Sequence, residues 1–209
     1  MTSLDSSTAR DDQTTIAFFS KQLERHQEGP LAVNWGSQAG QDRRFAVLAG
    51  IGDMTGCRVL DVGCGLGGFY DWQLRQGLGL DYVGVDITPG MIEAARLRHP
   101  GVDFQVANVL ATDPGQFDYV IASGIFYLRQ HEPEAFLERM VTRLFGLARR
   151  GVAVNSLSTW SPRRDAGEFY ADPVHTLEFC RSLTSAVVLR HDYHPGDFTL
   201  YLHQAAFAS

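Results

Sequence analysis

The residues best placed to do chemistry are a glycine turn and one carboxylate. Val59-Leu60-Asp61-Val62-Gly63-Cys64-Gly65-Leu66-Gly67-Gly68-Phe69 carries an apolar, β-branched run into glycines at alternate positions, and helix-forming sequence follows at once. Glycine at 63, 65 and 67 lets the backbone turn sharply and leaves no side chain between the turn and a ligand. Main-chain N–H groups and a helix N-terminus then face the bound molecule. A second apolar run, Tyr82-Val83-Gly84-Val85-Asp86, ends on a carboxylate 19 residues beyond Gly67. An acidic residue at that distance, closing the next strand, suits the two hydroxyls of a ribose. The chemistry indicated is nucleotide binding. The turn alone does not name the nucleotide, since dinucleotide enzymes use a near relative.

Asp61 narrows the choice. It sits inside the strand just before the glycines, where dinucleotide enzymes usually carry an apolar residue. With Gly63-Cys64-Gly65, it makes Val59–Gly67 resemble motif I of the class I S-adenosylmethionine-dependent methyltransferases. Their pattern is two hydrophobic residues, Asp, any residue, then Gly-x-Gly-x-Gly. Gly90-Met91-Ile92-Glu93-Ala94-Ala95 is similar to that family's second helix, and the likeness extends over about residues 40 to 155. The resemblance implies S-adenosylmethionine as cofactor, held by Asp61, Gly63, Cys64 and Gly65, by Asp86 and Ile87, by Asn108 and Val109, and by Ser123. At Asn108 the family usually has Asp, which takes the exocyclic amine of adenine. The amide oxygen of Asn can still accept that hydrogen bond. Many small members also carry an arginine before the first strand that pairs with the methionine carboxylate. Arg44, 17 residues before Asp61, fits, as a bidentate guanidinium–carboxylate pair would. Its neighbour Arg43 is the alternative, and two solvated arginines are the bland reading.

The acceptor side is less determined. Methyl transfer needs the nucleophile held in line at near contact, and a general base helps where a hydroxyl or charged amine attacks. Tyr127, His131, His175, His191, Asp192 and His194 are the candidates, with Tyr127 and His191 taken as the catalytic pair. Histidine titrates near neutral pH, and His191-Asp192-Tyr193-His194 is the densest cluster. The competing reading is a polar turn whose Asp bonds its own backbone. Trp35 either covers the cofactor or substrate pocket or plugs the lid from beneath. Ser123-Gly124-Ile125-Phe126-Tyr127 stands where nucleic-acid amine methyltransferases carry an Asn/Asp-Pro-Pro-Tyr-like tetrad, and its absence argues against DNA or RNA adenine. The favoured function is methylation of oxygen, nitrogen or carbon on a small molecule in specialised metabolism. The alternative is a non-catalytic protein that binds S-adenosylmethionine or S-adenosylhomocysteine, with a nicotinamide oxidoreductase as a third option.

Composition agrees. A net charge of −6 over 209 residues argues against nucleic acid as the main partner, because phosphate backbones call for a basic face. No apolar run reaches membrane-spanning length, and residues 1–15 lack the apolar core of a signal peptide. Three cysteines at unrelated spacings form neither a disulfide framework nor a metal cluster, and a cytoplasmic location is expected.

The elements that must position these groups follow from periodicity. Residues 1–12 are polar and read as a disordered tail, and 13–209 as a single domain, with 13–50 a helical lid. The lid holds helices over about 14–27 and 41–49. Beyond it strands and helices alternate: strands at 59–62, 81–86, 102–106, 117–122 and 152–157, with a closing pair at 187–191 and 198–203. The pattern predicts an α/β fold, a doubly wound Rossmann-like sheet. The resemblance implies seven strands, mostly parallel, with an antiparallel last strand between five and six. Ligand should lie beyond the carboxyl ends of the strands, where their order reverses.

Overall fold

The computed structural model describes residues 6–27, 29–34, 36–128 and 131–204. Helix α1 (Ser6–His26) and a 3-10 turn (Pro30–Val33) lead into α2 (Gln38–Ala49). Then follow β1 (Arg58–Val62), α3 (Gly68–Gln76), β2 (Asp81–Asp86), α4 (Pro89–Arg98), β3 (Asp103–Val106) and β4 (Phe117–Ala122). The chain closes with α5 (Pro133–Leu147), β5 (Ala148–Leu157), α6 (Pro173–Leu183), β6 (Val187–Arg190) and β7 (Asp197–His203). The strands form one sheet in the order β3-β2-β1-β4-β5-β7-β6. Six strands run parallel, and β7 runs antiparallel between β5 and β6, as expected. The order reverses between β1 and β4.

Strand pleating divides the core. Leu60, Val62, Val83 and Val85 face a cluster shared with Phe136, Val141 and Leu144 of α5 and Cys180 of α6. Val59 and Tyr82, one residue out of phase, face the opposite cluster with α2, α3 and α4. There Phe45 of α2 meets Phe69 of α3 edge-on, with ring centroids 5.4 Å apart, and this contact seats α2 beside the glycine turn. Local signals set the helix starts. Ser37 Oγ accepts the Gly40 N–H ahead of α2, and Asp172 accepts from Val174 and His175 N–H ahead of α6, where Pro173 takes the first helical position.

One expectation fails at the N-terminus. Residues 6–12 are helical, part of α1, whereas a disordered tail was expected through residue 12. The apolar stripe begins only at Ile16, so periodicity could not extend the helix backwards. Two carboxylates anchor the added turns. Asp11 accepts from the His131 N–H (3.1 Å) and pairs with His131 Nδ1 at 2.7 Å, and Asp12 accepts from Asn108 Nδ2 at 2.8 Å. Residues 1–5 and Trp35 lie outside the described residues. β5 also starts four residues earlier than expected, taking Arg149 out of the preceding helix.

Candidate functional site

A cavity runs along the carboxyl ends of the strands, from β3 at one side to β7 at the other, under the lid. A smaller one lies across the glycine turn, bordered by Gln41, Asp61, Gly68 and Asp71. The two share Val33, Gly63, Gly65 and Ser123, and β2 holds the turn between them in place. Gly63 and Cys64 N–H both donate to Val85 O (2.8 and 3.1 Å), and the Gly65 N–H donates to Asp86 Oδ2 at 3.0 Å. Gly63 and Gly65 have φ of +76° and +52°, where a side chain is strained. Space excludes a side chain as well. A Cβ on Gly63 would collide with Ile125 Cγ2, and one on Gly65 would stand 2.8 Å from Val33 Cγ1. So glycine is needed at 63 and 65 because the loop after β4 and the lid press on the turn. Cys64 beside them is a buried free thiol, its pKa pushed well up by burial.

Asp86 ends β2 with both oxygens oriented: Oδ2 accepts from Gly65 and Oδ1 from the Thr88 N–H at 2.8 Å. Burial raises its pKa, and these backbone donors oppose the rise. Each oxygen keeps a further lone pair, and Asp86 lines the main cavity with Ile87. Asp61 is buried on the other side of the turn and accepts from Tyr82 Oη at 2.7 Å. Burial pushes its pKa up to about 7, against the Tyr82 hydrogen bond and helped by the nearby Asp86 charge. Asn108 and Val109 line the β3 end, but both amide atoms of Asn108 are engaged. Nδ2 donates to Asp12, and Oδ1 accepts the Leu110 N–H at 2.9 Å.

The far half is assembled from distant segments. Ser123 Oγ accepts from Asn155 Nδ2 (2.9 Å), while Asn155 Oδ1 accepts the Gly124 N–H (3.0 Å). Asn155, buried at the end of β5, therefore sets the path of the loop after β4. Asn34, at φ +58°, donates from Nδ2 to Tyr127 Oη at 3.1 Å and joins the lid to that loop. Burial raises the Tyr127 phenol pKa. Asp197 opens β7 opposite Leu157, with its Oδ1 buried and without a hydrogen-bond partner among the described residues.

Two expected site residues go elsewhere. Arg44 lines the cavity, but its Nε and Nη2 bind Asp197 Oδ2 and its Nη1 donates to Gly40 O at 3.0 Å. Its carboxylate partner is thus inside the chain, supplied by β7, where a cofactor carboxylate was expected. Arg43 points outward to Tyr193 O at 3.4 Å. His191 is not among the cavity-lining residues. Its Nε2 meets Ser158 Oγ at 2.8 Å, and its ring lies between Trp160 (centroids 5.0 Å) and Phe198 (6.5 Å, stacked). Packing against the 158–171 loop accounts for it. His194 turns to Asp197, with Nδ1 3.4 Å from Oδ2, and Asp192 pairs with Arg190 at 2.7 Å. Sequence reasoning missed Thr15, Asn34, Asn155 and Asp197. For Asn155 a signal existed: the polar pair Asn155-Ser156 follows the apolar run Val152-Ala153-Val154 of a central strand. Among the described residues no group of side chains is arranged to hold a metal, and no helix is long and apolar enough to cross a membrane.

Comparison with known proteins agrees with this geometry. Residues 59–145 match the family described as "Methyltransferase domain". A putative methyltransferase of Mycobacterium tuberculosis, Rv1506c, is 34% identical over 158 residues, covering 71% of this chain and 93% of that protein. Two solved structures share the fold. The magnesium protoporphyrin IX methyltransferase of Synechocystis PCC 6803, with bound S-adenosylmethionine, superposes with a TM-score of 0.67 at 19% identity, over 98% of this chain and 100% of the other. The 1,6-didemethyltoxoflavin-N1-methyltransferase of Burkholderia thailandensis, with 1,6-didemethyltoxoflavin and S-adenosylhomocysteine bound, gives 0.69 at 16% identity, over 99% and 93%. With the strand order, the glycine turn and this kinship in accord, the chain belongs to the class I S-adenosylmethionine-dependent methyltransferases, with S-adenosylmethionine as its methyl donor.

Proposed function

We propose that the protein methylates a small-molecule acceptor held at the β4–β5–β7 end of the cavity, beside a cofactor held at the β1–β3 end. The observation that carries the reading is the continuity of one cavity across the point where the strand order reverses, between Gly63 and Ser123. Asp86 fits the cofactor's ribose, since its oxygens are fixed by Gly65 and Thr88 and it lines the cavity. Asn108, Val109 and Ile87 would flank the adenine. Because Arg44 is held by Asp197, Asp61 and Gln41 are the better partners for the amino-acid end. S-adenosylmethionine supplies an electrophilic methyl group.

The residues of this chain then have to orient the acceptor and exclude water. Tyr127, Asn34, Asn155 and Asp197 stand there with Ser123, Ser156, Arg44 and Glu168, among Ile125, Phe126 and Met140. A few polar groups in an apolar wall is how small-molecule sites are built. The acidic chain and the lid bonded across the mouth at Asn34–Tyr127 favour such an acceptor over a nucleic acid. The acceptors named for the two solved structures, magnesium protoporphyrin IX and 1,6-didemethyltoxoflavin, are small molecules as well. The test is turnover of methyl-labelled donor over phenols, amines, carboxylic acids, small peptides and RNA. Label appearing in one small-molecule class is expected, and label only in RNA or peptide would refute the proposal.

A further inference from the structure

We propose that helix α1 reads the adenine base, through Asp12, Thr15 and Phe19. The inference rests on the reading that places the adenosyl group at the β1–β3 end. Residues spaced i, i+3 and i+7 share one stripe of a helix. That stripe of α1 faces the β3 end of the cavity: Thr15 and Phe19 line it together with Ile87 and Asn108, and Phe19 packs on the cluster of Leu66 and Met91. An apolar ring, a hydroxyl and a carboxylate therefore arrive on one surface.

Two polar details give this surface a ligand. Thr15 Oγ1 is buried and has no hydrogen-bond partner among the described residues, an arrangement proteins avoid unless something satisfies the group. Asp12 is buried and accepts from Asn108 Nδ2. That bond decides which way the Asn108 amide points: nitrogen toward α1, leaving the oxygen, which also takes the Leu110 N–H, for an amine in the cavity. A carboxylate stands one hydrogen bond behind the amide, so the pair presents an oriented acceptor where a single Asp at position 108 would present its own. Asn108 and Asp12 are one recognition unit divided between the loop after β3 and α1. Docking of α1 and binding of the base are consequently coupled.

The test compares S-adenosylhomocysteine with S-inosylhomocysteine, in which a keto oxygen replaces the exocyclic amine, by calorimetry on the full chain. Wild type should prefer the adenine compound by at least tenfold. Asp12→Ala and Thr15→Val should each lower that preference several-fold while the melting temperature stays within a few degrees. Asn108→Asp alone sets two carboxylates against each other and should weaken the adenine compound at least tenfold. The exchange Asp12→Asn with Asn108→Asp restores a donor–acceptor pair with its polarity reversed, and should recover affinity to within threefold of wild type. A preference ratio unchanged in both Asp12→Ala and Thr15→Val would overturn the inference, whatever their absolute affinities. So would an exchange variant no better than Asn108→Asp. Failure of wild type to bind S-adenosylhomocysteine would instead refute the cofactor placement, before any variant is made.

Discussion

The two halves of the cavity are built by different means. Around the Gly63–Gly65 turn the polar surface is largely main chain and short-range: the turn hangs on Val85 O, and Asp86 is oriented by Gly65 and Thr88 N–H, with the Asp12–Asn108 bond beside β3 a long-range exception. At the β4–β7 end it is side chain and long-range. Asn34 meets Tyr127 across 93 residues, Arg44 meets Asp197 across 153, and Asn155 fixes Ser123 from the next strand. Backbone donors survive most substitutions, whereas a side-chain constellation is changed by one. The first half suits the cofactor, and the second suits an acceptor selected by particular side chains.

The largest expected effect falls on the first half. Asp86→Ala should lose roughly tenfold to a hundredfold in S-adenosylhomocysteine affinity by calorimetry, since a hydrogen bond to a charged group contributes roughly 1.5–3 kcal/mol. A folded variant with wild-type affinity would break the comparison at its root. The next concerns Asp61, whose pKa burial pushes up to about 7. If its carboxylate takes the cofactor's ammonium, the bound state favours the ionised form and lowers that pKa. Affinity is then full above the free-state value and falls as pH drops through it, by about tenfold near pH 6 relative to pH 8. Asp61→Asn keeps an acceptor for Tyr82 Oη and should flatten the profile. A flat wild-type profile would place the ammonium elsewhere.

Two variants sharpen the second half. Asn155→Ala frees Ser123 and the Gly124 N–H, and a misplaced loop should cut turnover roughly tenfold with S-adenosylhomocysteine affinity within about threefold of wild type. Equal losses in both would merge the halves. Tyr127→Phe removes the bond that Asn34 donates, a net contribution of about 1 kcal/mol. Turnover should fall less than about fivefold, with cofactor affinity unchanged. Steady-state kinetics on the acceptor found in the labelled-donor panel, beside calorimetry, reads both.

How much of this was legible in the sequence follows from the same contrast. Gly63, Gly65 and Asp86 could be read because adjacent strands need only about 25 residues of chain, and the turn announces itself in glycines. The strand order, β7 included, came with the resemblance those residues carry. Arg44 could not be assigned, because its partner Asp197 lies in a hairpin whose register no local pattern fixes. His191 looked catalytic from its neighbours in sequence, but Ser158 and Trp160 decide its environment. The first turns of α1 were hidden for a related reason. Their stabilising partners, His131 and Asn108, stand on other elements, and a run of Ser, Thr and Asp shows none of this by itself.

The most direct test is a crystal structure with S-adenosylhomocysteine bound. The account predicts ribose hydroxyls within hydrogen-bond distance of Asp86, adenine between α1 and Asn108–Val109, and sulfur beside Ser123. The space bounded by Tyr127, Asn155 and Asp197 should be left to the acceptor. A nucleoside lying among those three residues, or in the smaller cavity beside Gln41, would contradict it.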